Sequence, residues 1–168
     1  MYFIITKISV KLYLLFEWGV IMNKKISLKE ITEETLIDFL KLKVAEGQDQ
    51  FVAPNAVSIA QAHFSDKAWF RGIYADDTPV GFIMVSIDKK EEEYFLWRLM
   101  IGKDFQRMGY GKVAVLELIE FLKNEYSAKK LLVSCVPKDG GPEPFYAKLG
   151  FVPTGEYDDG EKIMILDI

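Results

Sequence analysis

Cysteine and histidine are nearly missing from this sequence: Cys135 and His63 are the only examples among 168 residues. A lone thiol cannot close an intramolecular disulfide, and its reduced state fits the cytoplasm. One His and one Cys cannot assemble a His/Cys zinc site, so no metal is expected. A basic excess is also missing. The formal charge is −4 and the pI is near 5.2, whereas a nucleic-acid binder carries a basic stripe. Mild acidity is compatible with a small cationic partner. Repeats, low-complexity tracts and an interdomain linker are not found, and the length suits one domain with a real core.

Long hydrophobic runs are absent as well, although the first 21 residues come nearest. MYFIITKISVKLYLLFEWGVI is broken by Lys7, Lys11 and Glu17. Its uncharged stretches fall far short of the ~20 apolar residues that span a bilayer. It lacks the basic start and small-residue cleavage site of a signal peptide. Trp18-Gly19-Val20 can be encoded with a purine-rich GGAG just before the Met22 codon. The expectation is therefore that residues 1–21 are a non-native or leader extension and that 22–168 is one domain. A membrane-surface anchor is the competing reading.

What is present is a regular alternation of patterns. Lys24–Ile31 reads as a strand, Thr32–Leu42 as a capped helix, and Val57–Ala62 as a second helix. Trp69–Tyr74, Val80–Ile87 and Tyr94–Ile101 form a meander with turns at Asp76–Pro79 and Lys89–Glu92. Gly111–Tyr126 carries Val115, Leu118, Ile119 and Leu122 on one stripe and is the strongest helix. Leu131–Val136 is a buried strand, Pro144–Leu149 a short helix, and Phe151–Tyr157 and Lys162–Ile168 a closing hairpin. The order β-α-α-β-β-β-α-β-α-β-β predicts a mixed α/β fold, a central sheet flanked by helices.

The segment Gln106-Arg107-Met108-Gly109-Tyr110-Gly111 joins a strand to the strongest helix. Glycines at i and i+2 permit a tight turn and close backbone approach. The helix N-terminus adds amide donors and partial positive charge, which suits a pyrophosphate. A purely geometric role for the glycines is the alternative. The P-loop spacing is absent. Gly109, Gly111 and Ala114 match a dinucleotide fingerprint, but the acidic residue required about 20 positions later is replaced by Lys129 and Lys130.

The Gln106-Arg107-x-Gly109-x-Gly111 loop, its helix, and Phe145-Tyr146-x-x-Leu149-Gly150-Phe151 together resemble the GNAT superfamily of N-acetyltransferases. The likeness runs over Lys24–Ile168. Phe51–Ala62 and the Tyr94–Ile101 strand look like bacterial spermine/spermidine (diamine) acetyltransferases. That resemblance implies a mostly antiparallel GNAT sheet and acetyl-CoA as co-substrate. It assigns Leu99, Met100 and Ile101 to the pantetheine arm and a strand splay to the acyl slot. The segment Gln106, Arg107, Met108, Gly109, Tyr110, Gly111 and Lys112 is assigned to the pyrophosphate. Asp139 stands where the family often has a cofactor-contacting Asn. Tyr146 is the implied proton donor to the leaving thiolate. A homodimer is implied only by analogy.

A primary ammonium with pKa near ~10.4 lies roughly 3.4 pH units above neutrality, or about 4.6 kcal/mol, so some group must take its proton. The glutamate that serves in the related polyamine enzymes is replaced here by Trp97, which leaves Glu93 as the candidate base. Trp97 becomes a substrate contact, and Glu46 and Asp49 are candidates for a polycation's distal ammonium. Cys135 reads as a buried strand residue and His63 as a surface one. The expected reaction is acetyl transfer to a small polyamine by direct attack in a ternary complex, without a membrane or nucleic-acid partner. An amino sugar, an amino acid or a protein N-terminus is the alternative acceptor, and a silent CoA-binding sensor the alternative function.

Overall fold

The computed structural model describes residues 24–168; the leader expected over 1–21 lies outside them. Strand β1 (Ile26–Lys29) leads to α1 (Glu33–Lys41) and α2 (Asn55–His63), then to the meander β2 (Ala68–Ala75), β3 (Thr78–Asp88) and β4 (Glu93–Ile101). A 3-10 turn (Lys103–Phe105) precedes α3 (Tyr110–Tyr126), followed by β5 (Lys130–Cys135), α4 (Glu143–Lys148), β6 (Val152–Asp158) and β7 (Glu161–Asp167). The element order is the one the patterning predicts. Boundaries move by a few residues. The first hairpin closes on only Asp76 and Asp77, because Asp76 adopts φ 55° and turns the chain more tightly than a four-residue loop.

The seven strands form one sheet in the order β1-β2-β3-β4-β5-β7-β6, with β4–β5 the parallel pair and the other pairings antiparallel. Strand β3 is covered on both faces, which explains its unbroken apolar run. Val80, Ile83, Val85 and Ile87 join Val115, Leu118 and Leu122 of α3 in the main core. Phe82 faces the other way: it is paired with Gly72, and a Cβ on Gly72 would lie 2.2 Å from the Phe39 ring of α1. Helix α1 thus presses directly on the sheet backbone. Asn55, buried at the start of α2, donates to the Phe39 carbonyl at 2.8 Å and ties the two helices together.

Two features prepare a cleft. β4 pairs with β5 only at Phe95–Leu132 and Leu96–Val133, after which the strands part. At the same point β4 carries a bulge: Arg98 pairs with Met84 and Leu96 with Val85, leaving Trp97 out of register. A bulge sharpens local twist and frees backbone groups from the ladder. Among the described residues no helix is long and apolar enough to cross a membrane.

Candidate active site

Two cavities meet where β4 and β5 diverge. The first, about 580 Å³, lies against the start of α3, with Leu99 and Ile101 on one wall and Phe145 and Leu149 on another. Its polar lining includes the cations Arg107, Lys112 and Lys148 and no carboxylate. The second, about 450 Å³, opens on the other side of β4 toward the α1–α2 loop, and contains Asp49, Glu161, Arg98 and Trp97. Tyr146, Phe145 and Gln106 line both cavities.

The charge-selective cavity is built by the loop before α3. Gly109 caps the helix at φ 77°, and Arg107 is also left-handed at φ 62°, an unusual conformation for a side chain with a Cβ. The first backbone bond of the helix is Val113 N–H to Gly109 O at 3.2 Å, so the Tyr110 and Gly111 amides precede the intrahelical ladder. At Gly111 a Cβ would reach 3.5 Å from both Ile101 and Phe145, filling the floor of the cavity. Amides ahead of the intrahelical ladder, three cations and a glycine floor make a cradle for a polyanionic, extended ligand.

Residues 29–151 match the Acetyltransferase (GNAT) family. The chain belongs to that family. It is accordingly an acetyl-CoA-dependent N-acetyltransferase, and the cationic cradle fits the pyrophosphate of this co-substrate. The GNAT chain is 27% identical over 150 residues to the spermine/spermidine N(1)-acetyltransferase of Bacillus subtilis (strain 168), covering 85% of this chain and 99% of that protein. It has the same identity and coverage against the probable spermine N(1)-acetyltransferase of Bacillus subtilis subsp. natto (strain BEST195). Its fold is shared with the PaiA N-acetyltransferase of Thermoplasma acidophilum in complex with coenzyme A. That likeness has TM-score 0.64 and 21% identity, covering 88% of this chain and all of that one. A domain from Methanocaldococcus jannaschii superposes with TM-score 0.70 at 18% identity, covering 87% of this chain and 100% of that one.

Tyr146 stands at the junction of the GNAT cavities. Only 6% of it is exposed, and its ring meets Phe145 and Phe151 edge-on at 5.2 and 5.5 Å. Burial, reinforced by Cys135 and Glu161, drives the phenol pKa well above the usual tyrosine value, so the hydroxyl keeps its proton. Gln106 departs from a purely phosphate-facing role. Its side-chain amide donates to Gln48 Oε1 at 2.7 Å and to the Ile101 carbonyl at 3.0 Å, bracing the α1–α2 loop against the end of β4.

The remaining expected site residues fall into three groups. Arg107, Gly109, Tyr110, Gly111 and Lys112 line the cationic cavity, Met100, Trp97 and Asp49 line the acceptor-side cavity, and Leu99, Ile101 and Gln106 line both. Met108 is 43% exposed and lines neither, so only its backbone belongs to the loop. Glu93 is not brought to the cleft. It opens β4 opposite Asp88, exposed at the far end of the strand, where its charge acts on Lys67 instead. Glu46 faces solvent on the turn before Gly47, and Asp139 is exposed while the adjoining Gly140 and Gly141 line the acceptor cavity in its place.

Sequence reading missed four cleft residues: Arg98, Ser134, Glu161 and Gln48. Arg98 donates through one guanidinium nitrogen to the Trp97 carbonyl at 2.8 Å and through another to Gln61 at 3.2 Å. Desolvation lowers its pKa from the ordinary arginine value. Ser134, just beyond the last β4–β5 pair, donates to Glu161 Oε2 at 2.5 Å. Gln48 receives Gln106. The bulge at Trp97 is the one feature with a sequence trace, the unusual Trp-Arg pair inside an otherwise apolar strand.

Proposed function

We propose that this enzyme transfers acetyl from acetyl-CoA to a primary amine of a small polyamine of the spermidine or spermine class, in the cytoplasm. The observation that carries the reading is the acceptor-side cavity, which has one carboxylate, Asp49, exposed on the α1–α2 loop and a second, Glu161, half-buried within it. Two separated anions suit a chain with separated ammonium groups. The identity to the two Bacillus proteins supports the same acceptor class.

Acetyl-CoA supplies an activated thioester when bound. The Arg107–Lys112 loop holds its phosphates, and the exposed edge of β4 beyond Leu96 orients the arm that carries the thioester. Tyr146 gives a proton to sulfur as the carbon–sulfur bond opens, a role its protonated, buried phenol suits. Asp49 and Trp97 position the acceptor from the loop and bulge sides.

An acceptor screen by free-thiol release tests the assignment. Spermidine and spermine should exceed a simple alkylamine of similar length by at least about tenfold in kcat/KM, the effect of one added charge contact worth ~1.4 kcal/mol. Equal kcat/KM for the two classes, or preference for an amino sugar, amino acid or peptide N-terminus, removes the polyamine assignment and leaves the acetyltransferase intact.

A further inference from the structure

The reaction needs a group that takes a proton from the acceptor ammonium, and the strand position expected to supply one faces solvent at Glu93. The acceptor-side cavity contains two carboxylates, Asp49 and Glu161. Asp49 is exposed on the α1–α2 loop. Glu161 is the first residue of β7 and is only half-exposed. Its Oε2 accepts from Ser134, which stands at the point where β5 leaves β4. The carboxylate thus reaches β5 from the neighbouring strand and lines the acceptor-side cavity that opens where β4 and β5 part.

Its charge is felt by Arg98 on β4, Cys135 on β5 and Tyr146 on α4, Ser134 of β5 donates to it, and Lys162 follows it on β7. Lys162 is held by Glu143 at 2.6 Å, so its charge is already engaged beside the cavity. The Glu161 charge reaches both Tyr146, where it opposes ionisation, and Arg98, where it favours the guanidinium. A carboxylate that acts on the proton donor from within the same cavity is placed to act on the attacking amine.

We propose that Glu161, oriented by Ser134, is the proton acceptor for the substrate ammonium. The inference rests on the acetyl-transfer reading of this cavity but not on the polyamine assignment. Glu161 takes one proton from the ammonium and frees the nitrogen lone pair. As the C–N bond forms and the C–S bond breaks, Tyr146 gives its proton to sulfur and regains one from the nitrogen, which becomes an amide. Glu161 then releases its proton to solvent. One proton leaves per turnover, and no other reactant is required.

Glu161→Gln tests this. Both kcat/KM against pH and the acceptor Kd, by calorimetry on the CoA-loaded protein, are measured for spermidine and for a monoamine. At pH 7 the variant should lose about a hundredfold in kcat/KM. The deficit should shrink below about tenfold toward pH 10, where the free amine becomes abundant without help. The acceptor Kd should weaken by no more than about tenfold, the worth of one ammonium contact, well short of the loss in kcat/KM. Glu161→Asp, which keeps the charge, should show a smaller deficit and the wild-type pH profile; it also serves if the glutamine variant fails to fold. Turnover near wild type, a deficit equal at every pH, or a weakening of Kd that matches the loss in kcat/KM would each overturn the assignment. Activity on the monoamine but not on spermidine defeats the polyamine reading alone, and the Glu161 comparison then proceeds on the monoamine. Absence of amine-dependent thiol release in the wild-type protein defeats both.

Discussion

Tyr146→Phe separates chemistry from packing more cleanly than any other change at this site. The substitution removes one oxygen and leaves the ring, whose edge contacts to Phe145 and Phe151 at 5.2 and 5.5 Å do not involve the hydroxyl. The stability cost should therefore stay within about 1 kcal/mol, the ordinary worth of one hydroxyl interaction. The catalytic cost should be far larger in proportion. Positioned general acids contribute about 10²–10⁴ in rate, and even the low expectation of tenfold corresponds to ~1.4 kcal/mol of barrier. Because the proton moves only as sulfur leaves, kcat should fall by at least about tenfold while the acetyl-CoA Kd changes less than threefold. The same substitution has an alkaline signature. Burial holds the folded phenol above its ordinary pKa, so beyond about pH 10 the unfolded chain binds fewer protons than the folded one. Stability then falls as pH rises, by about 1.4 kcal/mol per pH unit from this group, until the folded phenol also ionises. The phenylalanine variant should lose that component of the alkaline slope. Turnover, cofactor Kd and urea melts at pH 9 and 11 are measured on one preparation. Wild-type kcat in the folded variant, or a kcat loss matched by cofactor Kd, refutes the assignment of Tyr146 as proton donor.

The other expectations concern the cradle and the sheet. Acetyl-CoA at a hundredfold excess over its Kd should stabilise the protein by about 2.7 kcal/mol; Gly109→Val, at φ 77° and in the cationic cavity, should abolish that thermal shift, and an unchanged shift would place the ligand elsewhere. Gly72→Ala should destabilise the fold by about 1–3 kcal/mol through overpacking against Phe39, and an unaltered urea midpoint would show that α1 yields freely.

The fold was legible because each element carries its own period. The α3 stripe of Val115, Leu118, Ile119 and Leu122 becomes core, and the apolar run of β3 corresponds to burial on both faces. The cationic loop before α3 was legible for the same reason: its glycines, cations and helix start are contiguous. The acceptor side was not. Glu161 and Ser134 are 27 residues apart and meet only through β5–β7 pairing, while Glu161 directly follows a turn of Asp158, Asp159 and Gly160, where a charge looks solvent-facing. Glu93 shares a strand with the site, but strand rise carries it several residues away from the splay at Leu96. Gln106 was found by motif, yet its side-chain partner Gln48 lies 58 residues earlier and no local pattern connects them.

The early parting of β4 from β5 has a mechanical consequence. Seven strands are continuous in name, but the ladder between β1–β4 and β5–β7 consists of Phe95–Leu132 and Leu96–Val133 alone. The sheet is two stiff plates joined along a short weld, with α3 lying across one face. A load that opens the slot meets little backbone resistance past Val133. An extended ligand laid along the free edge of β4 would supply rungs that the protein itself omits. Its binding should then change the rigidity of the molecule and not only its stability. The difference should be visible as slowed amide exchange on both sides of the weld, far from any residue the ligand touches.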